Sequence, residues 1–256
     1  MMKPCVNTGS FRDVEVITCF EILGKMGFRD IEFNIRPVMA EGYDKRELKS
    51  VLTDFGFNIV SIAGGWCDFY TSGDEQAKNV ESVQRQLELA DYFGNHSIRL
   101  FWGMLDKKYD SRYIRDNVVS NVRNLAEQNP EFTFLFENHD HFSLDINFLE
   151  GFFRSVEAPN VWLNYDAVNF ERGGTDSMEA LKRLYQWVKH THVKGKTGNN
   201  ISSLVDSEFK FRDIFKYLRE HNYDGYVSLE YEAGGDIISN IYRDYMYLKR
   251  KINSER

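Results

Sequence analysis

The sequence predicts an α/β fold of the (β/α)8 barrel class, formed by the whole chain as a single domain, residues 1–256, with an extra helix at the C-terminus. Three observations carry this expectation. A length of 256 residues accommodates eight strand–helix units of about 25–40 residues each. Strand-like and helix-like patterns alternate from end to end. The junctions repeat one grammar, in which a glycine closes a helix on a left-handed residue and hands the chain straight to a strand.

Eight runs rich in β-branched and aromatic residues read as strands: Cys5–Thr8, Asp30–Ile35, Asn58–Ala63, Ser97–Trp102, Phe132–Glu137, Val161–Asp166, Lys189–Lys194 and Tyr226–Tyr231. Between them, apolar residues recur at helical spacing: Leu48, Val51, Leu52, Phe55; then Val80, Val83, Leu87, Ala90; then Ile114, Val118, Val122, Leu125; then Phe211, Ile214, Phe215, Leu218. Gly27-Phe28, Gly56-Phe57 and Gly94-Asn95 open strands directly after helices, and Tyr223-Asp224-Gly225 is a variant of the same junction. Residues Asp236–Arg256 read as the terminal helix. With four prolines and no Pro/Gly/Ser-rich linker, no domain boundary is expected. An open doubly wound sheet would use the same alternation, but it usually carries a G-x-G-x-x-G loop after its first strand, and none follows here. Gly64-Gly65, Gly173-Gly174 and Gly234-Gly235 read as flexible loop positions near a site.

Composition narrows the function classes. Thirty-two Lys and Arg face 39 Asp and Glu, a net charge of −7, which is the wrong sign for a protein that lives on phosphate backbones, so no nucleic-acid partner is expected. Cys5, Cys19 and Cys67 contain no C-x-x-C pair, and no apolar signal segment follows Met1-Met2-Lys3-Pro4, so a reduced, cytoplasmic chain is expected. No run approaches 18 apolar residues, so no membrane span is expected. Aromatic residues make up 15% of the chain, which suits a concave site walled with rings.

In a barrel of this kind, reactive side chains project from the C-terminal ends of strands. The fifth to eighth candidate strands end in Glu137, Asp166, His192 and Glu230, spaced 29, 26 and 38 residues apart, one strand–helix unit each. Such spacing aims all four at one point. Three converging carboxylates repel one another unless a cation lies among them, and an oxygen-rich set with one imidazole suits Mn²⁺, Mg²⁺, Co²⁺ or Zn²⁺. Glu137 is the most telling member, because an ionised carboxylate straight after the apolar run Phe132–Phe136 needs a charge partner. Glu232 shares a strand face with Glu230, and Glu230 is preferred because it follows the apolar Val227–Leu229.

These residues carry a resemblance. Glu137-Asn138-His139, Asp166 in Leu163-Asn164-Tyr165-Asp166, His192 in His190-Thr191-His192-Val193-Lys194 and Glu230 in Ser228-Leu229-Glu230 match, in order, the four metal-binding strand ends of the xylose-isomerase-like TIM barrel superfamily. That superfamily includes sugar isomerases and epimerases, inosose dehydratases and apurinic endonucleases. The resemblance spans all eight units and implies one divalent ion held by Glu137, Asp166, His192 and Glu230. It also implies a reaction through an enediolate, with Glu137 and Glu230 as the acid/base pair. The substrate would be a small sugar or polyol, and a homo-oligomer is compatible with all of this.

Substrate contacts are expected from His139, Asn169, Lys194, Trp66 and Trp102, the two tryptophans as apolar walls for a sugar ring. Asn169 and Gly198 stand where ketohexose 3-epimerases of the superfamily carry a His and an Arg. Two further enzymatic alternatives are an inosose-type dehydratase and an apurinic endonuclease, the second disfavoured by the missing histidine and the acidic charge. A non-catalytic sugar-binding barrel is the remaining alternative, and the complete quartet argues against it.

Overall fold

The computed structural model describes residues 1–104 and 111–253. In chain order the elements are β1 (Lys3–Asn7), α1 (Val16–Lys25), β2 (Asp30–Asn34), α2 (Arg36–Glu41), α3 (Lys45–Asp54), β3 (Asn58–Ala63), α4 (Gly73–Tyr92) and β4 (Ser97–Leu100). They continue with α5 (Ser111–Gln128), β5 (Thr133–Glu137), α6 (Ile146–Val156), β6 (Val161–Asp166), α7 (Ala167–Arg172), α8 (Ser177–Leu184) and β7 (Val188–Val193). Then come β8 (Gly195–Thr197), β9 (Asn200–Ser202), α9 (Arg212–Glu220), β10 (Tyr226–Leu229) and α10 (Ile237–Asn253). The last three residues of the expected terminal helix, 254–256, lie outside the described residues. Eight strands close into a barrel in the order β1-β10-β7-β6-β5-β4-β3-β2, the fold class expected from the alternation. The chain divides into two compact units, Met1–Ala63 with His190–Arg256, and Gly64–Lys189.

In the first unit β1 pairs in parallel with β2 and β10, and β10 with β7. Gly27 and Gly56 take the left-handed conformation after α1 and α3, at φ +84° and +63°, as the junction grammar requires. At the variant junction the left-handed residue is Asn222 (φ 59°) rather than Gly225, because a short polar side chain tolerates that conformation. The Glu15 side chain accepts the N–H groups of Ile17 and Thr18 and starts α1, and Asp44 does the same for α3 through Arg46. Helix α10 buries Ile241, Leu248 and Ile252, and also the carboxylate of Asp244. That carboxylate accepts from Ser203 Oγ (2.6 Å) and from the N–H groups of Leu204 (2.7 Å) and Val205 (3.1 Å), anchoring the segment after β9.

One element here was not expected. β8 and β9 form an antiparallel hairpin directly after β7, with Thr197 paired to Asn200 across Gly198-Asn199. Gly198 has φ +55°. A Gly-Asn pair between short strands is the sequence signal for such a turn.

In the second unit β5 pairs in parallel with β4 and β6. Asp145 and Asp176 cap α6 and α8 through backbone N–H groups. Strand alternation sends Phe134 and Phe136 to one face of β5 and Leu135 and Glu137 to the other. Phe136 packs on Trp102 (4.8 Å between ring centres), which also meets Phe152 at 4.6 Å. Trp102 is only 1% exposed, which corrects its expected role as a wall for a sugar ring. The reason is parity: β4 ends at Leu100, so Trp102 continues the helix-facing side while Phe101 shares a face with Arg99. The flexible role expected of Gly64 is also corrected. A Cβ there would come within 2.5 Å of Gln86 Oε1 and 2.9 Å of the Arg99 carbonyl, so Gly64 permits a close approach to β4.

Candidate active site

The second unit contributes Glu137 and Asp166, each last in its strand and each without solvent exposure. Their carboxylates offer oxygens within 4.8 Å of one another. Asn138 fixes the two strand ends together, its Nδ2 donating to the Asp166 carbonyl and its Oδ1 accepting the Asp166 N–H, both at 2.8 Å. Asp166 Oδ1 then accepts the Asn169 N–H (2.9 Å) and starts α7, so one carboxylate oxygen is committed to the helix. Asn169 Nδ2 donates to Glu137 Oε1 (3.2 Å) and to the Asn138 carbonyl (3.0 Å). The side chain expected to meet substrate is therefore 2% exposed and holds Glu137 in place.

Arg99 was absent from the sequence-based site. Its Nε lies 3.4 Å from Glu137 Oε2, with both side chains essentially unexposed. Its guanidinium lies over the Phe101 ring at 4.2 Å, and its Nη1 donates to the Gly64 carbonyl at 3.3 Å. The signal was present in the sequence as a charge between Ile98 and Leu100. Beside this group Trp66 stacks on Phe101 (4.0 Å, 16°), and the His139 ring meets Trp66 edge-on at 5.3 Å. Trp66 is 38% exposed, so this tryptophan does present an aromatic surface. His139 Nδ1 is paired with the Asp140 carboxylate.

The first unit contributes His192 on β7 and Glu230 one residue beyond β10, with the Glu230 N–H bonded to the Val193 carbonyl (3.0 Å). His192 Nδ1 lies 3.6 Å from Glu230 Oε2. Lys194 is 1% exposed, and its Nζ reaches Glu230 Oε2 at 2.9 Å and Glu232 Oε2 at 3.2 Å. Both carboxylates that competed on the strand pattern thus share one buried ammonium. Asn7 Nδ2 donates to Glu230 Oε1 at 3.3 Å.

On the other side of the His192 ring, Nε2 and Glu32 Oε2 are 2.8 Å apart. Burial pushes the Glu32 carboxyl up, but the His192 and His190 imidazoles beside it outweigh that and hold it well below the usual carboxylate range. The cysteines take no part: all three are buried and free, and burial pushes the Cys67 thiol up to about 12.

Residues 20–250 match the model of the xylose isomerase-like TIM barrel family. The chain is 28% identical over 240 residues to a 3-dehydroshikimate dehydratase of Bacillus anthracis, covering 89% of this chain and 82% of that one. It is 23% identical over 238 residues to the hydroxypyruvate isomerase of Escherichia coli K12, covering 87% and 90%. The solved structure of L-ribulose 3-epimerase superposes with a TM-score of 0.82 at 16% identity, covering 99% of this chain and 95% of that one. Among the described residues, no helix is long and apolar enough to cross a membrane. The strand order and the family match agree with the resemblance carried by the four strand-end motifs, and the chain belongs to the xylose isomerase-like TIM barrel family.

Proposed function

We propose that the protein is a cytoplasmic, divalent-metal-dependent isomerase or epimerase of a small sugar or sugar derivative, with Glu137, Asp166, His192 and Glu230 as the metal ligands. The observation that carries this reading is the pair Glu137 and Asp166, two wholly buried carboxylates with oxygens within 4.8 Å of each other. Arg99 supplies one positive charge beside them, and a second cation relieves the remaining repulsion. Three carboxylates and one imidazole are, as a set of donors, suited to Mn²⁺, Mg²⁺, Co²⁺ or Zn²⁺. When bound, such an ion supplies Lewis-acid polarisation of a substrate carbonyl and its neighbouring hydroxyl.

The chain's own groups then move the proton. One of Glu137 and Glu230 takes a proton from the carbon beside the carbonyl, and the other returns it, to the opposite face for epimerisation or to the neighbouring carbon for isomerisation. Asn169 and Arg99 hold the Glu137 carboxylate, while Asn7 and Lys194 hold that of Glu230. Trp66 offers an aromatic surface to a sugar ring, with His139 at its edge.

A dehydratase is the second reading, and Lys194 favours it. A buried ammonium 2.9 Å from Glu230 is placed to attract a substrate carboxylate or to protonate a departing hydroxide. Gly198, on the exposed hairpin turn, and Asn169, tied to Glu137, leave the ketohexose 3-epimerase pattern without its Arg and His. The test is incubation of the Mn²⁺-loaded protein in D₂O with aldoses, ketoses, inosose and 3-dehydroshikimate, followed by mass spectrometry. The primary reading expects one carbon-bound deuterium with the substrate formula retained. Loss of water from the product would replace it with the dehydratase reading, and no exchange or turnover on any of them would count against both.

A further inference from the structure

Two hydrogen-bond donors and a second, more distant imidazole surround one carboxylate oxygen deep in the first unit. Glu32 Oε2 lies 2.8 Å from His192 Nε2, 2.7 Å from Ser228 Oγ and 3.5 Å from His190 Nε2. Glu32 belongs to β2, the histidines to β7 and Ser228 to β10, so the carboxylate reaches past β1 to join strands it does not pair with. Every member is at most 3% exposed. Such a carboxylate is desolvated, and the donors aimed at it replace the water it has lost.

We infer that Glu32 is the positioning residue of His192: it takes the Nε2–H, fixes that tautomer and ring orientation, and so presents Nδ1 as the electron-pair donor. The inference rests on the reading of His192 as a metal ligand. Its chemical basis is that an imidazole has one donor and one acceptor nitrogen when neutral, so a firm acceptor at Nε2 decides which nitrogen keeps its lone pair. Nδ1 is the nitrogen turned to Glu230, at 3.6 Å. Ser228, whose Cα is in register with that of His192, donates its hydroxyl to the same Glu32 oxygen and fixes the carboxylate rotamer. A carboxylate behind a ligating imidazole also raises its basicity, and removing such a partner typically costs 10–100-fold in metal affinity.

Glu32, His190 and His192 also form a group of the composition that holds metal ions, with ligand atoms within 4.8 Å of one another. The separations at Glu32 Oε2, 2.8 Å from His192 Nε2 and 2.7 Å from the Ser228 hydroxyl, are those of charge-assisted hydrogen bonds. Positioning is therefore the role assigned.

The test is calorimetric titration of Mn²⁺ into metal-stripped wild type, Glu32→Gln and Ser228→Ala, with ¹⁵N histidine NMR of the metal-free wild type and Glu32→Gln. The inference expects one equivalent bound in all three, roughly 10–100-fold weaker in Glu32→Gln and weakened to a smaller degree in Ser228→Ala. It expects the wild-type His192 ring to be protonated at Nε2 with Nδ1 bare. Wild-type affinity in Glu32→Gln, or a proton resident on Nδ1, would overturn it. So would two equivalents in the wild type falling to one in Glu32→Gln, which would make Glu32 itself a ligand. If the wild type binds no Mn²⁺, the metal reading fails, while comparison of the metal-free wild-type and Glu32→Gln spectra still decides whether Glu32 sets the tautomer.

Discussion

Replacement of Glu137 by glutamine is expected to lower turnover by about 10²–10⁴-fold or more while leaving the fold intact, since a positioned acid/base group contributes about that factor. The substitution keeps the side-chain shape and the oxygen that accepts from Asn169 Nδ2, and it removes the charge. It also leaves one wholly buried carboxylate, Asp166, where there were two. Losing the Glu137 charge relieves its repulsion with Asp166 but takes from the buried Arg99 guanidinium its carboxylate neighbour, so the metal-stripped variant should stay folded with a lowered melting midpoint. Steady-state kinetics beside circular dichroism checks both halves. Near-normal turnover in a folded variant would remove Glu137 from the proton-transfer pair.

Arg99→Leu should act the opposite way, mainly on stability. Its guanidinium and the Glu137 carboxylate are 2% and 0% exposed and 3.4 Å apart, so no solvent screens the loss. Removing one partner of a buried pair costs about 3–5 kcal/mol, because the other charge stays desolvated. Here that charge is also close to Asp166, so the two carboxylates lose the cation that moderates their repulsion. Each kcal/mol moves the midpoint of a domain of this size by about 2–4 °C, so the metal-stripped variant should melt roughly 6–20 °C lower. A shift under about 2 °C would mean that Arg99 contributes little beyond its packing on Phe101.

Why Glu137 was legible in the sequence and Arg99 was not follows from where each charge lies. Glu137 ends an apolar run at a strand terminus, where a barrel displays its chemistry, whereas Arg99 is embedded before Leu100 and Phe101 and looks like an ordinary strand residue. Trp102 was misplaced because it was taken for the run's site-facing end, whereas it shares its parity with Ile98 and Leu100, and the opposite face carries Arg99 and Phe101. The helix-to-strand junctions were readable because Gly27, Gly56 and Gly94 all need left-handed backbone, a local requirement. Asn169 and Asn138 were harder. Their partners, Glu137 and Asp166, are about 30 residues away in sequence, and amide side chains carry no periodic signature. Glu32 was readable as a buried polar group in Ile31-Glu32-Phe33, but its bond to His192 spans 160 positions and emerges only from the closed strand order.

The central claim is that Glu137, Asp166, His192 and Glu230 hold one divalent ion, and its most direct test is a thermal melt of metal-stripped protein with and without Mn²⁺. A ligand at about 100 times its dissociation constant stabilises the folded state by roughly 2.7 kcal/mol. For a domain of this size that predicts a rise of about 5–11 °C in the wild type and a much smaller one in Glu137→Gln. An unchanged midpoint in the wild type, across saturating Mn²⁺, Mg²⁺, Co²⁺ and Zn²⁺, would contradict the claim.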